Sequence, residues 1–571
     1  MNQKIDNILT LTKNNLALIF VAILTGIIVS LVAQFFIISA KAMFRIIYYS
    51  DKLALNINFF NINLNITPLF ACILASILVC LLIKFFKIQR WHGPADTIYA
   101  AHQIQGNLDI KTGFLSTIAS FVSISGGASV GIYGPLVHFG GTLGAFLRRI
   151  KFVPNIPHDI IIGSGVAAAI SAGFGSPLAG IIFAHEVVLR HYSLKAITSV
   201  ALCSVVASFT ADKIGLVGPP FNFLEKSFEM TSALPGLVLV GIISALIAFL
   251  FMKSILLSSK IAQKSNIKSY YLPLIPGAIC GLVGIFLPEA LGLGINTILN
   301  TIINPTNFMF LLILLFFKLF LTSSCIGFSL FGGVFSPALF LGTMTGAIIY
   351  NIPGIGLDIS LLSVFAVAGM ASVASSVIGA PISAIILVLE LTGSYEYAIA
   401  AILPISFCSL ITYLTFGSSF FDAQLKNRGI NMGDGRQSIL MNQTKLLNYT
   451  DVSFTKFNKE TTVNEAINKF KKHKTTEGYM IDSNKKYLGK VRLIDLLGNE
   501  KDTIFKYRQK NHLILEMDSN ILETLKSMTE FVGESIPVIN HQNKTIHGII
   551  SENDILKAYI DISEAIKSIE K

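Results

Sequence analysis

Within the run SVGIYGPLVHFGG at residues 129–141, Gly131, Gly134, Gly140 and Gly141 break an apolar segment, and Tyr133 and His138 set a phenol and an imidazole inside it. A glycine-rich turn that opens a helix presents N–H groups with no intrahelical partner and the positive end of the helix dipole. That combination suits an anion. The pentapeptide GIYGP returns as GVFSP 202 residues later, again with proline one step inside the helix start, where its missing N–H costs nothing. Glycines that merely let helices pack closely would read alike. The repetition favours two facing anion-binding turns.

The elements that carry these turns are membrane helices. The chain of 571 residues is 53% hydrophobic and 13% charged, with a mean hydropathy of +0.66, far more apolar than an ordinary soluble domain. Runs at 16–40, 67–86, 234–255 and 397–416 are long enough to cross a bilayer, which takes about 20 residues. The run at 16–40 reads as the first span, not a removed leader. Shorter runs at 113–124, 135–147, 159–172, 177–189, 335–350 and 381–392 end in Gly, Pro or Ser. Broken helices at membrane depth leave backbone groups unpaired, which is tolerated only inside protein or along a path for a polar solute.

Two blocks repeat in the same order. GIYGPLVHFGGTLGA (131–145) overlays GVFSPALFLGTMTGA (333–347), pairing Tyr133 with Phe335, and GSPLAGIIFAHE (175–186) overlays GAPISAIILVLE (379–390) at an offset of 204, pairing Glu186 with Glu390. Two homologous halves place a transported solute at their interface. The matched glutamates point to a shared structural task such as binding backbone N–H groups, with a part in conduction by Glu186 as the minority reading.

Residues 426–571 differ, holding 23 of the 44 Lys and Arg and 19 of the 33 Asp and Glu. The net charge of +11 is spread over both parts with no basic stripe for nucleic acid; RRIK at 148–151 reads as a loop facing the cytoplasm. The six cysteines lack ligand-like spacing and read as core residues. No nucleophile elbow, Walker loop or metal cluster is found, so an enzyme or resident metal is not expected.

In the tail, TTVNEAI (461–467) resembles SNILETL (519–525), and GKVRLIDLL (489–497) overlays GIISENDIL (548–556). Each unit reads helix, strand, strand, helix, with the glycine ending a turn. The tail resembles a tandem pair of CBS modules, taken as 448–507 and 508–571 after a linker at 426–447. The resemblance implies that Ser551 and Asp554 are the candidate contacts to the ribose of an adenine nucleotide; as a plain alternative they cap a helix. Arg492 stands where the first module would carry its hydroxyl.

The first 425 residues resemble the CLC chloride channels and chloride/proton antiporters. SVGIYGPLVHFGGTLG is similar to the family's GREGP segment, GGVFSPALFLG (332–342) to its GxFxP segment and WHGPADTI (91–98) to its GSGIP segment; 175–190 and SFFDAQLKNRG (419–429) match too. The resemblance implies an all-α membrane domain of two inverted repeats with broken helices, followed by the α/β CBS pair. It further implies a homodimer in the bacterial inner membrane, one anion path per subunit, and a cytoplasmic tail. The anion path is then expected at His92, Gly93, Tyr133, Gly134, Val334, Phe335 and Phe421, with chloride or a similar small anion as solute and no required cofactor.

The departures decide the expected activity. Tyr133 replaces the family's gating glutamate, Val187 its internal proton-transfer glutamate, His92 its pore serine and Phe421 its pore tyrosine. A phenol with a reference pKa of about 10 stays neutral at working pH, so Tyr133 cannot cycle a proton as a carboxylate does. His92 can supply an N–H in place of the lost hydroxyls, and His138 and His185 read as structural. The expectation is a passive, voltage- or ligand-modulated anion channel. The alternatives are an anion/proton antiporter with His92, His185 or Glu186 as substitute carrier, and a CBS-regulated cation transporter or sensor, for which clustered carboxylates are missing.

Overall fold

The computed structural model describes residues 2–50, 53–59, 62–103, 108–149, 156–214, 221, 228–353, 358–499, 501–509, 512–529 and 531–570. Ile150 and Lys151 of the basic run at 148–151 lie outside them. The chain forms two compact units, Met1–Ile430 and Asn431–Lys571.

The first unit is helical. Its first half runs α1 (Asn2–Tyr49), α2 (Thr67–Phe86), α3 (Pro94–Ala101), α4 (Ile110–Ser125), α5 (Tyr133–Arg148), α6 (His158–Phe174), α7 (Pro177–Phe183) and α8 (Leu194–Lys213). Its second half runs α9 (Met230–Lys264), α10 (Leu274–Phe286), α11 (Ile295–Ile303), α12 (Phe308–Gly327), α13 (Phe335–Tyr350), α14 (Ser360–Ile378), α15 (Pro381–Thr392) and α16 (Tyr395–Thr415), closed by the short α17 (Phe420–Lys426). Among the described residues, eight helical segments are long and apolar enough to cross a membrane. Four of them, in α8, α10, α12 and α14, fall outside the long runs expected from sequence; Lys318 sits in the middle of α12. A hairpin of β1 (Asn56–Phe59) and β2 (Ile62–Asn65) follows α1 and was not expected either.

Each half is built round one helix that is apolar on every side, as buried helices are. α6 packs on α5, and α14 packs on α13; the apolar window of α14 is wholly enclosed by protein. Glycines let the backbones touch. A Cβ added at Gly140 would stand 2.3 Å from Gly165 O, and one at Gly342 would stand 2.1 Å from Gly369 O, so the two halves repeat the same crossing. Neither backbone can retreat without parting the central pair of helices. Gly342→Ala is therefore expected to cost about 3 kcal/mol or more and to remove the monodisperse peak in size exclusion. Gly93→Ala, whose methyl would meet only Phe331 at 3.9 Å, should leave that peak in place.

The halves meet head to head. Gly131 and Gly333 form an antiparallel bridge with reciprocal N–H···O bonds of 2.7 Å each. The carboxylates cross over in the same sense: Glu186 accepts from the N–H groups of Ile382 and Ser383 at 3.0 and 2.8 Å, and Glu390 accepts from those of Leu178 and Ala179 at 2.8 Å each. Each glutamate thus satisfies the first-turn donors of the other half's short helix, a task a local cap would otherwise perform.

The second unit is α/β. After α18 (Gly435–Gln443), β3 (Lys456–Phe457), α19 (Val463–His473), β4 (Glu477–Ile481), β5 (Tyr487–Arg492) and α20 (Leu493–Leu496) make one module; β6 (Leu515–Glu516), α21 (Ile521–Ser527), β7 (Ser535–Ile539), β8 (Ile546–Ser551) and α22 (Glu552–Glu570) make the other. Both sheets have the same order, one parallel then one antiparallel pair. The two-residue strands β3 and β6 were not expected. Gly489 and Gly548 lie inside β5 and β8 beside register shifts, not in turns, and Gly489 takes φ 150° at its bulge, which suits glycine. A buried ion pair of Glu477 and Lys490 at 2.6 Å ties the modules together, since both side chains also bond Ser535.

Candidate functional site

Tyr133, Gly134, Val334 and Phe335 meet where α5 and α13 begin. The bridge between Gly131 and Gly333 uses the N–H groups just before the helices, and Ser336 Oγ accepts weakly from Ile132 N–H at 3.4 Å. The next N–H groups, of Tyr133, Gly134 and Phe335, have no acceptor among the described residues, and the prolines at 135 and 337 contribute none. Two positive helix ends with unclaimed donors therefore face one spot. Gly134 is required by the close approach: a Cβ there would stand 2.8 Å from Gly333 Cα.

The Tyr133 ring is stacked on Phe174 at 3.7 Å between centroids and edge-on to Phe335 at 5.5 Å. Its hydroxyl has no hydrogen-bond partner among the described residues. Phe174, at the end of α6, was missed in the sequence because nothing local marks it; only the fold brings it under Tyr133.

His92 and Gly93 sit on the turn before α3, and their backbone donors are already engaged. His92 N–H goes to Ser116 Oγ on α4 at 2.9 Å, and Gly93 N–H to Asp96 Oδ2 at 2.9 Å. Any contribution to an anion from this turn has to come from the imidazole, whose Nδ1 is buried without a partner. His138, on α5, joins it: the rings lie 6.0 Å apart edge-on, and Thr97 Oγ1 and His138 Nδ1 are 2.8 Å apart. Trp91 is buried and donates its indole N–H to Ser329 O at 3.0 Å.

Asp96 is the hub of this end. Besides capping Gly93, its Oδ1 holds Arg90 at 2.6 Å and Arg428 at 2.9 Å. Phe421 is buried on α17, and that helix packs on α3 and α14. A second ion pair, Arg190 with Asp422 at 2.6 Å, pins the same helix. These seven-residue turns of α17 are thus held from both ends of the helix by first-half residues. Sequence reasoning missed Asp96, whose pairing with Arg428 spans 332 positions.

Val187 lies in a six-residue π-helix, Ala184–Leu189, that continues α7, and it is buried. His185 beside it is anchored through Nδ1 to His191 O at 2.7 Å. In the second unit Ser551 and Asp554 bond each other in both directions: Ser551 Oγ and N–H donate to Asp554 Oδ2 at 2.6 and 2.9 Å, and Asp554 N–H donates to Ser551 Oγ at 3.3 Å. Arg492 and Asp495 form the corresponding ion pair of the first module at 3.1 Å. Among the described residues no group of three or more His, Cys, Asp or Glu is placed to hold a metal.

The family model described as voltage gated chloride channel matches residues 74–415, and the CBS domain model matches 507–561. The chain is similar to the voltage-gated ClC-type chloride channel ClcB of Escherichia coli O17:K52:H18, 26% identical over 336 residues, covering 58% of this chain and 79% of that one. It is also similar to the H(+)/Cl(-) exchange transporter ClcA of Klebsiella pneumoniae strain 342, 29% identical over 328 residues, covering 54% of this chain and 67% of that one. Among solved structures, a slow cyanobacterial Cl-/H+ antiporter superposes with a TM-score of 0.62 at 19% identity over 72% of this chain and 98% of that one. A eukaryotic CLC transporter superposes with a TM-score of 0.63 at 14% identity over 94% of this chain and 98% of that one. With its helical membrane unit matched over more than half its length and a CBS region after it, this integral membrane protein belongs to the voltage gated chloride channel (CLC) family.

Proposed function

We propose that this protein conducts chloride or a similar small anion passively, without coupled proton exchange, past the facing starts of α5 and α13. The observation that carries the reading is the pair of helix ends with unclaimed N–H groups and no carboxylate among them; by the resemblance drawn from the sequence, Tyr133 and Val187 stand where the family's exchangers keep their proton-handling glutamates. Tyr133 serves as a neutral gate. The imidazole of His92 supplies a side-chain donor on the opposite flank, and Phe421 closes the path with a ring in place of a hydroxyl. A desolvated anion needs such donors, since an unpaired charge in low dielectric costs several kcal/mol.

The names of the relatives do not choose between channel and exchanger, because both occur. The chemistry does. Of the substitute proton carriers, Glu186 spends its carboxylate on Ile382 and Ser383, and His185 is fixed to His191 O. In keeping with the family, the protein acts as a homodimer with one path per subunit, in the bacterial inner membrane with the CBS pair in the cytoplasm. Ser551 and Asp554 remain the candidate nucleotide contacts, although their mutual bonds already satisfy them as a helix cap.

The test uses proteoliposomes with a chloride gradient and a trapped pH-sensitive dye. Chloride should leave with no accompanying change of internal pH once the membrane potential is clamped with valinomycin and potassium. Proton movement that follows the chloride gradient, and stops when chloride is replaced by an impermeant anion, would overturn the passive reading.

A further inference from the structure

The membrane unit also holds a partly open cavity, lined by none of the residues assigned to the anion path. This cavity, of about 820 Å³, lies among the end of α1, the start of α2 and the start of α11. Lys41 and Arg45, one helical turn apart on α1, line it together with Asn65, Asn296 and Asn300, and Glu289 is the carboxylate in its wall. The volume falls in the range of small-molecule sites and far exceeds what one halide needs.

The electrostatics favour an anionic guest. α11 opens on the cavity with its N-cap Gly294 at φ 67° and no side-chain cap, and Ile295, Asn296 and Thr297 line the space. Their N–H groups precede the first intrahelical bond, from Ile298 N–H to Gly294 O at 3.0 Å. Behind Gly294, Lys318 is fully buried; it donates to Gly292 O at 2.7 Å and Ala290 O at 3.1 Å. A Cβ built on Gly294 would lie 3.7 Å from Lys318 Nζ, and no carboxylate among the described residues pairs with that ammonium. Two cations and a positive helix end therefore line the space against a single carboxylate, with Lys318 buried behind Gly294.

Apolar side chains, Phe44, Phe310 and Leu293 among them, share the remaining walls with Tyr48, Thr301 and Thr306. Elsewhere on α1, Met43, Phe35 and Leu31 are exposed, as on a helix facing acyl chains. We propose that this cavity binds a phosphate ester, supplied by an anionic membrane lipid of the phosphatidylglycerol type: the phosphate between Lys41, Arg45 and the start of α11, the glycerol against the asparagines, the chains along α1. Basic pockets between membrane helices take lipid head groups in this way. The proposal is independent of the anion path.

The experiment takes the full chain in a neutral detergent and measures melting temperature and native mass spectra during titration with dioleoylphosphatidylglycerol, dioleoylphosphatidylcholine and glycerol 3-phosphate. Phosphatidylglycerol should raise the melting point, because a ligand of the folded state stabilises it. Lys41→Gln and Arg45→Gln should each weaken its binding about fivefold, and the double variant about 25-fold; Glu289→Gln should strengthen it. Equal affinity of wild type and double variant, or of phosphatidylglycerol and phosphatidylcholine, would overturn the site. Binding of glycerol 3-phosphate as tight as that of the lipid would overturn the lipid as its source. Were the double variant unstable, an unchanged affinity in Glu289→Gln would still contradict the charge argument.

Discussion

Replacing Tyr133 by alanine is expected to raise chloride flux through the reconstituted protein about tenfold. The ring is held only by aromatic packing, stacked on Phe174 and edge-on to Phe335, and its hydroxyl has no partner among the described residues. Each such contact contributes about 0.5–1.5 kcal/mol, so a ring that has to move past an anion adds a barrier of about 1–2 kcal/mol, which is close to one decade in rate. Alanine removes the obstacle and leaves the N–H groups of α5 and α13 untouched. Tyr133→Glu should act in the opposite sense. An ionised carboxylate beside two positive helix ends is bound there as an anion mimic, so flux should be low at neutral pH and rise as acid neutralises the side chain. Flux measured by chloride electrode for the three proteins at pH 7.5 and pH 4.5 checks both statements. Identical flux in all three at both pH values would take Tyr133 out of the path.

The second large effect concerns the glutamates that cross between the halves. Glu186→Ala should lower stability by about 3 kcal/mol, and Glu390→Ala by about 2 kcal/mol, since a lost acceptor leaves partly buried first-turn donors unpaired. The order follows from the structure: Glu186 accepts a third bond, from Ser383 Oγ at 2.6 Å, which Glu390 lacks. Glutamine keeps one acceptor oxygen, so each Gln variant should fall between wild type and Ala. Thermal melts in detergent decide this. If Glu186→Gln left the melting point unchanged but altered proton movement, Glu186 would be a proton carrier and the structural assignment would fail.

The parts of this molecule that could be read from the chain alone are those in which the cause and the effect are neighbours in sequence. The glycine-proline turns, the short broken helices and the paired blocks all carry their own signal, because backbone donors at a helix start are determined by residues within one turn. The matched positions of Glu186 and Glu390 announced a common task. The donors they bind could not be named, since each bond spans roughly 200 residues. The same holds for Asp96 and Arg428, 332 positions apart, and for Phe174 beneath Tyr133. The burial of Trp91 is equally non-local, since the Ser329 carbonyl that its indole N–H bonds belongs to the other half. α12 was overlooked as a span because Lys318 interrupts it. That charge is tolerated at depth only through carbonyls supplied by the loop before α11. In the tail, the capping signals at Thr462 and Asn520 were plain, whereas two-residue strands such as β3 and β6 are too short to carry a periodicity.

The central claim is that anions pass without protons, and the most direct measurement is the reversal potential of the purified full chain in a planar bilayer. Under a tenfold chloride gradient at symmetrical pH, a passive chloride path should reverse near the chloride potential, about 59 mV from zero. Imposing a pH difference of two units at fixed chloride should then leave that potential where it was. A shift with the proton gradient, away from the chloride potential, would contradict the account and return the protein to the exchangers.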